Sequence, residues 1–101
     1  MDKLTSMEAF DTLIAQNSRV VVDFSAPGCG PCKKVPGLLA EVLPLAAEGT
    51  LAAEADLSVL PALAQRFMVL SVPTIIVFQD GKEQTRFTGV PAKDKLLNAL
   101  K

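Results

Sequence analysis

The sequence predicts an α/β sandwich, in which a central mixed β-sheet is flanked by helices. Three observations lead to this prediction. The β-branched run Val20–Val22 leaves its segment no polar side, which is typical of a strand covered on both faces. Helical and strand-like patterns alternate along the chain, as they do where crossover helices join parallel strands. The Asp80-Gly81 pair separates two strand-like runs and predicts an antiparallel hairpin, so the sheet is expected to be mixed.

The hydrophobic spacing assigns each part of the chain to a helix or a strand. Thr5 and Glu8 fit a capping box at the start of the first helix. Pro36 should kink the second helix one turn in, and Pro44 should bend or end it. The segment after this helix is ambiguous, because its alanine and glutamate residues favour a helix whereas its position favours a strand. The predicted elements are, in order, a helix at 6–16, a strand at 19–25, a helix at 32–43, a strand at 51–57, a helix at 58–67, strands at 74–78 and 84–88, and a helix at 91–101.

Length, composition and charge limit the class of protein. The 101 residues match the size of one ordinary domain and half of them are hydrophobic, so we expect a single domain, residues 1–101, with a continuous core. The formal net charge of −1 argues against binding to nucleic acid. The N-terminal residues lack the apolar core of a signal peptide, and no apolar run approaches the roughly 20 residues needed to cross a bilayer. We therefore expect a cytoplasmic monomer without a membrane partner.

The two cysteines are the only ones in the chain, and they lie at C-x-x-C spacing in a loop rich in proline and glycine. In a cytoplasmic protein such a pair is typical of redox catalysis or metal binding. A zinc site would need two further ligands, and the chain has no other cysteine and no histidine to supply them. Redox catalysis is therefore the favoured interpretation. Two inert buried thiols or a purely structural disulfide are the alternatives.

The spacing also suggests a role for each residue of the motif. Cys29 is expected at the exposed N-terminus of a helix, where unpaired N–H groups and the helix dipole stabilise a thiolate, so it is the candidate nucleophile. Cys32 lies one turn later and is the candidate resolving cysteine. Gly30 and Pro31 shape the active-site loop between them. Asp23, a carboxyl in the preceding apolar strand, is the candidate proton relay for Cys32, with an ordinary structural carboxylate as the alternative.

Five short motifs are spread over the chain: V-D-F before the cysteines, C-G-P-C at 29–32, V-P-T at 72–74, D-G at 80–81 and T-G at 88–89. In this order they resemble the thioredoxin family, and the resemblance covers essentially the whole chain. It implies the thioredoxin-like three-layer sandwich. It also implies a cis peptide bond before Pro73, backbone pairing of Val72 with the substrate chain, and a substrate-binding groove whose rim is completed by Gly89 and Val90.

The resemblance to the thioredoxin family further implies a thiol-disulfide oxidoreductase that reduces protein disulfides and serves electron transport and cell redox homeostasis. The electrons would come from a thioredoxin reductase, usually a flavoprotein drawing on NADPH. No bound cofactor or metal is implied for this chain, only the redox-active disulfide Cys29–Cys32. Two alternatives remain open. One is a disulfide isomerase or a reductase recharged by another donor, and the other is a non-catalytic module that uses the same fold to bind protein.

Departures from the family pattern bear on the site. The family usually has tryptophan immediately before C-G-P-C and again three residues earlier, where this chain has Gly28 and Ser25. These changes affect partner range. A lysine often found beside the buried aspartate corresponds to Glu54, so Asp23 is expected to meet a second carboxyl that raises its pKa further. The apolar residues 68–70 form either a docking surface or part of the core.

Overall fold

The computed structural model describes residues 1–101, which form a mixed five-stranded β-sheet with helices on both faces. This arrangement confirms the predicted three-layer α/β sandwich. Two short 3-10 helices, Pro31–Lys34 and Leu43–Leu45, flank the second α-helix. None of the helices is both long enough and apolar enough to cross a bilayer. The elements in chain order are β1 (Asp2–Leu4), α1 (Met7–Gln16), β2 (Arg19–Ser25), α2 (Val35–Val42), β3 (Leu51–Asp56), α3 (Pro61–Phe67), β4 (Thr74–Gln79), β5 (Lys82–Thr88) and α4 (Lys93–Leu100).

The strand order is β1-β3-β2-β4-β5, so β2 is the central strand. It runs parallel to β3 and antiparallel to β4, and β4 and β5 form the hairpin around Asp80-Gly81. All of β2 except Arg19 is buried. The prediction that the run Val20–Val22 belongs to the middle of a sheet is confirmed. Because ligand sites in open α/β sheets gather beyond the carboxyl ends of the strands, the loop after β2 is the expected place for a site.

One face of the sheet, called here the packing face, is covered by α1 and α3, and its buried side chains are apolar except for Thr74, whose hydroxyl donates a hydrogen bond of 2.7 Å to the carbonyl oxygen of Ser71. Alternate residues of β2, including Val20 and Val22, lie on this face. Four phenylalanines meet over it, and three of their pairs pack edge to face with ring centroids 5.3, 5.4 and 5.6 Å apart. Such pairs contribute about 0.5–1.5 kcal/mol each beyond the burial of their area. The four residues are Phe10, Phe24, Phe67 and Phe78.

The opposite face, called here the cysteine face, is covered by α2 and α4. Val21, Ile75 and Val77 pack there against leucines and valines of both helices. Further along β2 on this face come Asp23 and then Ser25, and both are buried. The cysteine face is thus apolar along much of its length and becomes polar toward the end of β2 that leads to the cysteines.

The N-terminal region differs from the sequence prediction in two details. No strand is predicted at residues 2–4, yet β1 forms there because it pairs in parallel with β3. Ser6, and not Thr5, is the N-cap residue of α1. The backbone N–H of Ala9 donates a hydrogen bond of 3.0 Å to the Ser6 hydroxyl oxygen. The N-cap therefore lies one residue later than the T-x-x-E spacing indicates, and the predicted capping box is wrong, because Ala9 at the third position after Ser6 has no side chain that could complete one.

The second predicted helix is divided at its prolines. α2 begins at Val35, so Pro36 lies in its first turn, where the missing N–H has no helical partner to lose. Pro44 lies in the 3-10 segment that follows the end of α2 at Val42. The kink expected at Pro36 is therefore a helix boundary, whereas the end expected near Leu43 is confirmed.

Candidate active site

The two cysteines lie in the loop after β2 and are joined by a disulfide bond, with their Cα atoms 5.3 Å apart. Gly30 is the N-cap residue of the first 3-10 helix, so Cys29 lies immediately before the cap and Cys32 within the first turn. The backbone N–H of Cys32 donates a hydrogen bond of 3.2 Å to the sulfur of Cys29. Cys32 is only 7% exposed, whereas Cys29 is half-buried. The loop thus leaves one cysteine more accessible than the other.

A cavity of about 270 Å³, called here the disulfide cavity, lies beside the two cysteines. Ser25 and Gly28, which stand where the family usually has tryptophan, both line it. Gly28 has a φ of +75°, in the left-handed region that favours glycine. Lys33 and Glu54 also line this cavity. The flank of the disulfide is therefore lined by small and charged residues, and no group of three or more histidine, cysteine or carboxylate side chains that could hold a metal ion occurs in the chain.

Asp23 is sealed inside the protein. Its side chain is 1% exposed, and neither of its oxygens has a hydrogen-bond partner. Burial, and after it the charge of Glu54, raises the pKa of Asp23 to about 7. Both causes act in the same direction, because removal from water and a neighbouring negative charge each disfavour the ionised carboxylate. Near neutral pH the carboxyl is therefore poised between its protonated and ionised forms.

Glu54 is the register partner of Asp23 on the neighbouring strand β3, so the two side chains lie next to each other on the cysteine face. The expectation that Asp23 meets a second carboxyl is confirmed. The hydroxyl of Ser25 donates a hydrogen bond of 3.3 Å to Oε1 of Glu54. On the other side of Glu54, its register partner is Lys3 of β1. Sequence reasoning missed both of these neighbours, because they depend on the register between strands.

The predicted rim of the binding groove brings two chain segments together. The Val72–Pro73 peptide bond is cis, in agreement with the resemblance. The backbone N–H of Gly89 donates a hydrogen bond of 2.8 Å to the carbonyl oxygen of Pro73, which fixes the end of β5 beside the start of β4. Val90 follows Gly89 and is exposed. Val72 and Gly89 are half-buried and Pro73 is buried, so Val90 is the most exposed of the four residues of the predicted rim.

An apolar cavity of about 360 Å³ adjoins the disulfide cavity, because Ala26 lines both. Its other lining residues include Val69, Leu70 and Val72. Leu70 is 92% exposed and Met68 is 73% exposed, whereas Val69 is buried in the packing-face core. Val69 is therefore part of the core, whereas its two neighbours lie on the surface, and the docking role of that surface stays a prediction.

Comparison with known proteins assigns this arrangement to a family. The family model described as Thioredoxin matches residues 2–101. The chain belongs to the thioredoxin family. A thioredoxin of Chlamydia caviae is 38% identical over 100 residues, which cover 99% of this chain and 96% of that protein. The structure of mitochondrial thioredoxin 3 from Saccharomyces cerevisiae in its oxidized form matches with a TM-score of 0.87 and 28% identity, covering 99% of this chain and 92% of that one.

A longer relative has the same domain as one of its parts. The bifunctional thioredoxin reductase/thioredoxin of Mycobacterium leprae is 36% identical over 98 residues, which cover 97% of this chain and 21% of that protein. Thioredoxins are protein-disulfide oxidoreductases that need no separate cofactor, and this chain has the active-site dithiol in its oxidised form. The protein therefore reduces protein disulfides by dithiol-disulfide exchange at its C-x-x-C pair. It is an atypical member, because it has no tryptophan.

Proposed function

We propose that Cys29 attacks the disulfides of partner proteins and that Cys32 resolves the mixed disulfide. In the first step the Cys29 thiolate bonds to one sulfur of the substrate disulfide, and the other sulfur leaves as a thiolate that takes up a proton. In the second step the Cys32 thiolate attacks the sulfur of Cys29, forms the Cys29–Cys32 disulfide and releases the second substrate sulfur. The substrate gains two electrons and two protons, and the active-site pair loses them.

The difference in exposure between the two cysteines carries this assignment. Cys29 is half-buried, whereas Cys32 is 7% exposed and lies within the helical turn. The N–H of Cys32 donates to the Cys29 sulfur, and the helix N-terminus favours negative charge on that atom. Cys29 is thus both the sulfur that a partner can reach and the one that is stabilised as a thiolate. Gly30 and Pro31 supply the cap and the first position of this turn.

The proton relay is assigned to Asp23. Cys32 must lose its proton before it attacks, and the chain has no histidine to accept it. A carboxyl that served only structure would be expected to have hydrogen-bond partners, and Asp23 has none. Burial and the charge of Glu54 raise its pKa to about 7, which suits a group that takes and returns a proton near neutral pH. These observations support Asp23 as the base of the resolving step.

Substrate binding is assigned to the predicted rim, which comprises Val72, Pro73, Gly89 and Val90, together with the apolar surface around Leu70. The resemblance to the family places the substrate chain alongside Val72. The large exposed fraction of Leu70 supports this assignment, because exposed apolar groups beside a reactive centre commonly mark a binding surface.

The partners follow from the chemistry and from the family. The dithiol must be recharged by a thioredoxin reductase, and the Mycobacterium leprae relative, by its name, unites a reductase and a thioredoxin in one chain. A flavoprotein reductase using NADPH is the form typical of the family. Electron transport of this kind requires a compartment that keeps thiols reduced, which favours the cytoplasm. A monomer of 101 residues is sufficient for this electron transport. Light scattering during size-exclusion chromatography measures whether the protein is monomeric.

An alternative proposal is a disulfide isomerase or a reductase recharged by a different donor. The replacement of two tryptophans by Ser25 and Gly28, and of a lysine by Glu54, favours it, because these changes surround the dithiol and affect its potential and its partners. Equilibration of the dithiol against glutathione separates the proposals. A reducing protein remains largely oxidised in a glutathione buffer that fully reduces an oxidising one.

Trapping experiments test the two cysteine roles. With a chemical reductant supplying electrons, the wild-type protein should reduce insulin disulfides, and Cys29→Ser should abolish turnover. Cys32→Ser should retain the first attack and hold partner proteins as mixed disulfides at Cys29. If Cys29→Ser traps partners and Cys32→Ser does not, the two roles are reversed. If the wild-type protein fails to turn over insulin, the proposed activity is wrong.

A further inference from the structure

The buried carboxyl of Asp23 has no route of its own to solvent. Its side chain is 1% exposed, makes no hydrogen bond to the protein and does not line the disulfide cavity. A proton that Asp23 accepts from Cys32 must leave again before the next cycle. The fold therefore has to supply a second group that touches both Asp23 and water.

Glu54 is the neighbour that meets both conditions. It is paired in register with Asp23, and adjacent strands lie only about 4.8 Å apart. Unlike Asp23 it is half-buried, and it lines the same cavity as Cys29 and Cys32. It also lines a smaller cavity of about 140 Å³ at the β1 edge of the sheet, so its carboxylate can exchange protons with water on two sides.

The carboxylate of Glu54 is held in place and surrounded by a defined set of charges. Ser25 donates a hydrogen bond of 3.3 Å to Oε1, on the side of the disulfide cavity. Lys3 faces Glu54 from β1, and Asp56 lies two residues along its own strand on the same face. Lys33 and the cysteines face it from the active-site loop and the helix that follows. Lys3 on one side and Lys33 on the other therefore offset the negative charges of the carboxylates.

We infer that Glu54 carries the proton between the buried carboxyl of Asp23 and solvent, and that Ser25 is its positioning residue. This inference rests on the proposed role of Asp23. In the resolving step the Cys32 thiol gives its proton to the Asp23 carboxylate, and the Cys32 sulfur bonds to the Cys29 sulfur. Asp23 then passes the proton to the Glu54 carboxylate, which releases it to water in the cavity. The substrate thiolate that leaves takes a proton from the same water, so electrons and protons balance.

The like charges of the two carboxyl groups assist this transfer. Two ionised carboxylates side by side repel each other, so a proton on either one stabilises the pair. While the proton is in transit the pair therefore holds one negative charge in place of two, whether the proton is on Asp23 or on Glu54, and the second charge returns only when Glu54 releases the proton to water. A charged lysine at this position could not accept a proton from Asp23, because its ammonium group is already protonated. The glutamate therefore gives this chain a function that the usual lysine cannot supply.

The test separates the two attacks of the dithiol in a stopped-flow reaction with Ellman's reagent. Reduced protein releases one thionitrobenzoate when Cys29 attacks and a second when Cys32 resolves the mixed disulfide. Glu54→Gln should leave the first phase unchanged and slow the second by about tenfold or more, which is less than the roughly 10²–10⁴-fold contribution of an acid or base that acts directly on the reacting group. Added imidazole should restore the second phase by carrying the proton itself. Glu54→Asp should keep most of the wild-type rate.

The control variants give each outcome a single meaning. Glu48→Gln removes the same charge from an exposed turn before β3 and should leave both phases unchanged. Ser25→Ala should slow the second phase less than Glu54→Gln. If Asp23→Asn slows the second phase and Glu54→Gln does not, or if imidazole fails to restore Glu54→Gln, the role of Glu54 is wrong and that of Asp23 stands. If Asp23→Asn leaves the second phase unchanged, both roles are wrong.

Discussion

The two faces of the central sheet are built from the same strands but have opposite chemistry. On the packing face, every buried side chain except Thr74 is apolar and four phenylalanines pack together. On the cysteine face, Val21 of β2 is followed by Asp23 and Ser25, with Glu54 beside them on β3. These polar side chains lie only at the end of the cysteine face that leads to the cysteines. The packing face therefore contributes mainly to stability, and the cysteine face loses some stability at one end, where we propose that its carboxyls move protons.

The physical reason is the two-residue period of a strand. Successive side chains of β2 alternate between faces, so one strand can supply Phe24 to an apolar core and Asp23 to the candidate active site without conflict. An unpartnered buried carboxyl costs free energy when it ionises. The burial of the core on the packing face offsets that cost.

The largest expected effect concerns the packing face. Phe78→Ala removes a ring that contacts both Phe10 and Phe67, so the free energy of unfolding should fall by about 3–5 kcal/mol. Phe87→Ala is the matched control, because Phe87 is only half-buried and lies on the cysteine face, and its loss should be smaller. Urea titration measures both. The first-phase rate of the folded Phe78 variant with Ellman's reagent should be unchanged, and a slower rate would mean that the two faces are not separable.

The second effect concerns the pH dependence of the cysteine face. A carboxyl whose pKa is raised by folding stabilises the protein fully below its unfolded pKa of 3.8, and this contribution is lost as the pH rises through about 7. Between pH 5 and pH 8 the oxidised protein should therefore lose about 2.5 kcal/mol of unfolding free energy. Asp23→Asn should lack this slope.

The change in stability between pH 5 and pH 8 is assigned to Asp23 for three reasons. The chain has no histidine, and the cysteines of the oxidised protein do not titrate. Asp56 and Glu83 have lowered pKa values because hydrogen bonds from Ser58 and Arg86 hold their ionised forms, so their contributions are lost only at more acid pH. A flat profile for the wild-type protein would show that the pKa of Asp23 is not raised. An equal slope in Asp23→Asn would show that another group causes the pH dependence.

A smaller effect concerns the N-cap of α1, one of the two helices that cover the packing face. Ser6→Ala removes the hydroxyl that accepts the N–H of Ala9 at the start of α1, and the free energy of unfolding should fall by about 1 kcal/mol. Thr5→Ala is the matched control, since Thr5 precedes the cap, and it should have little effect. Thermal unfolding of the two variants under one condition measures the difference. A larger loss in Thr5→Ala would place the cap where the sequence pattern first suggested it.

The smallest effect concerns the surface beside the disulfide. Leu70→Asp should lower kcat/KM for insulin about threefold, about 0.7 kcal/mol, because an exposed rim contact contributes less than a fully buried one. The rate with Ellman's reagent, which is too small to reach across the surface, should not change. Leu45→Asp makes the same exchange at an exposed leucine after α2 and should leave both rates unchanged. An unchanged kcat/KM in Leu70→Asp would remove this surface from the substrate-binding site.

Much of the fold and the dithiol could be predicted from the sequence because their signals are local. The run Val20–Val22 predicts a strand buried on both faces, and Asp80-Gly81 predicts a hairpin. Both predictions depend only on residues that are adjacent in the sequence. The C-x-x-C spacing in a Pro/Gly loop likewise identifies a redox pair. β1 could not be predicted, because its three residues become a strand only by pairing with β3. The choice of Ser6 over Thr5 as the cap depends on one backbone conformation that composition does not encode.

The amino-acid sequence alone determined the element types, the family resemblance and the presence of a reactive cysteine pair. Only the tertiary structure decided that Asp23 has no hydrogen-bond partner, that Ser25 donates to Glu54, and that Glu54 reaches the cavity beside the disulfide. These facts depend on the parallel register of β2 and β3, which brings together residues thirty-one positions apart. The proposed proton path depends on contacts between side chains of separate strands, and spacing within one strand cannot specify such contacts.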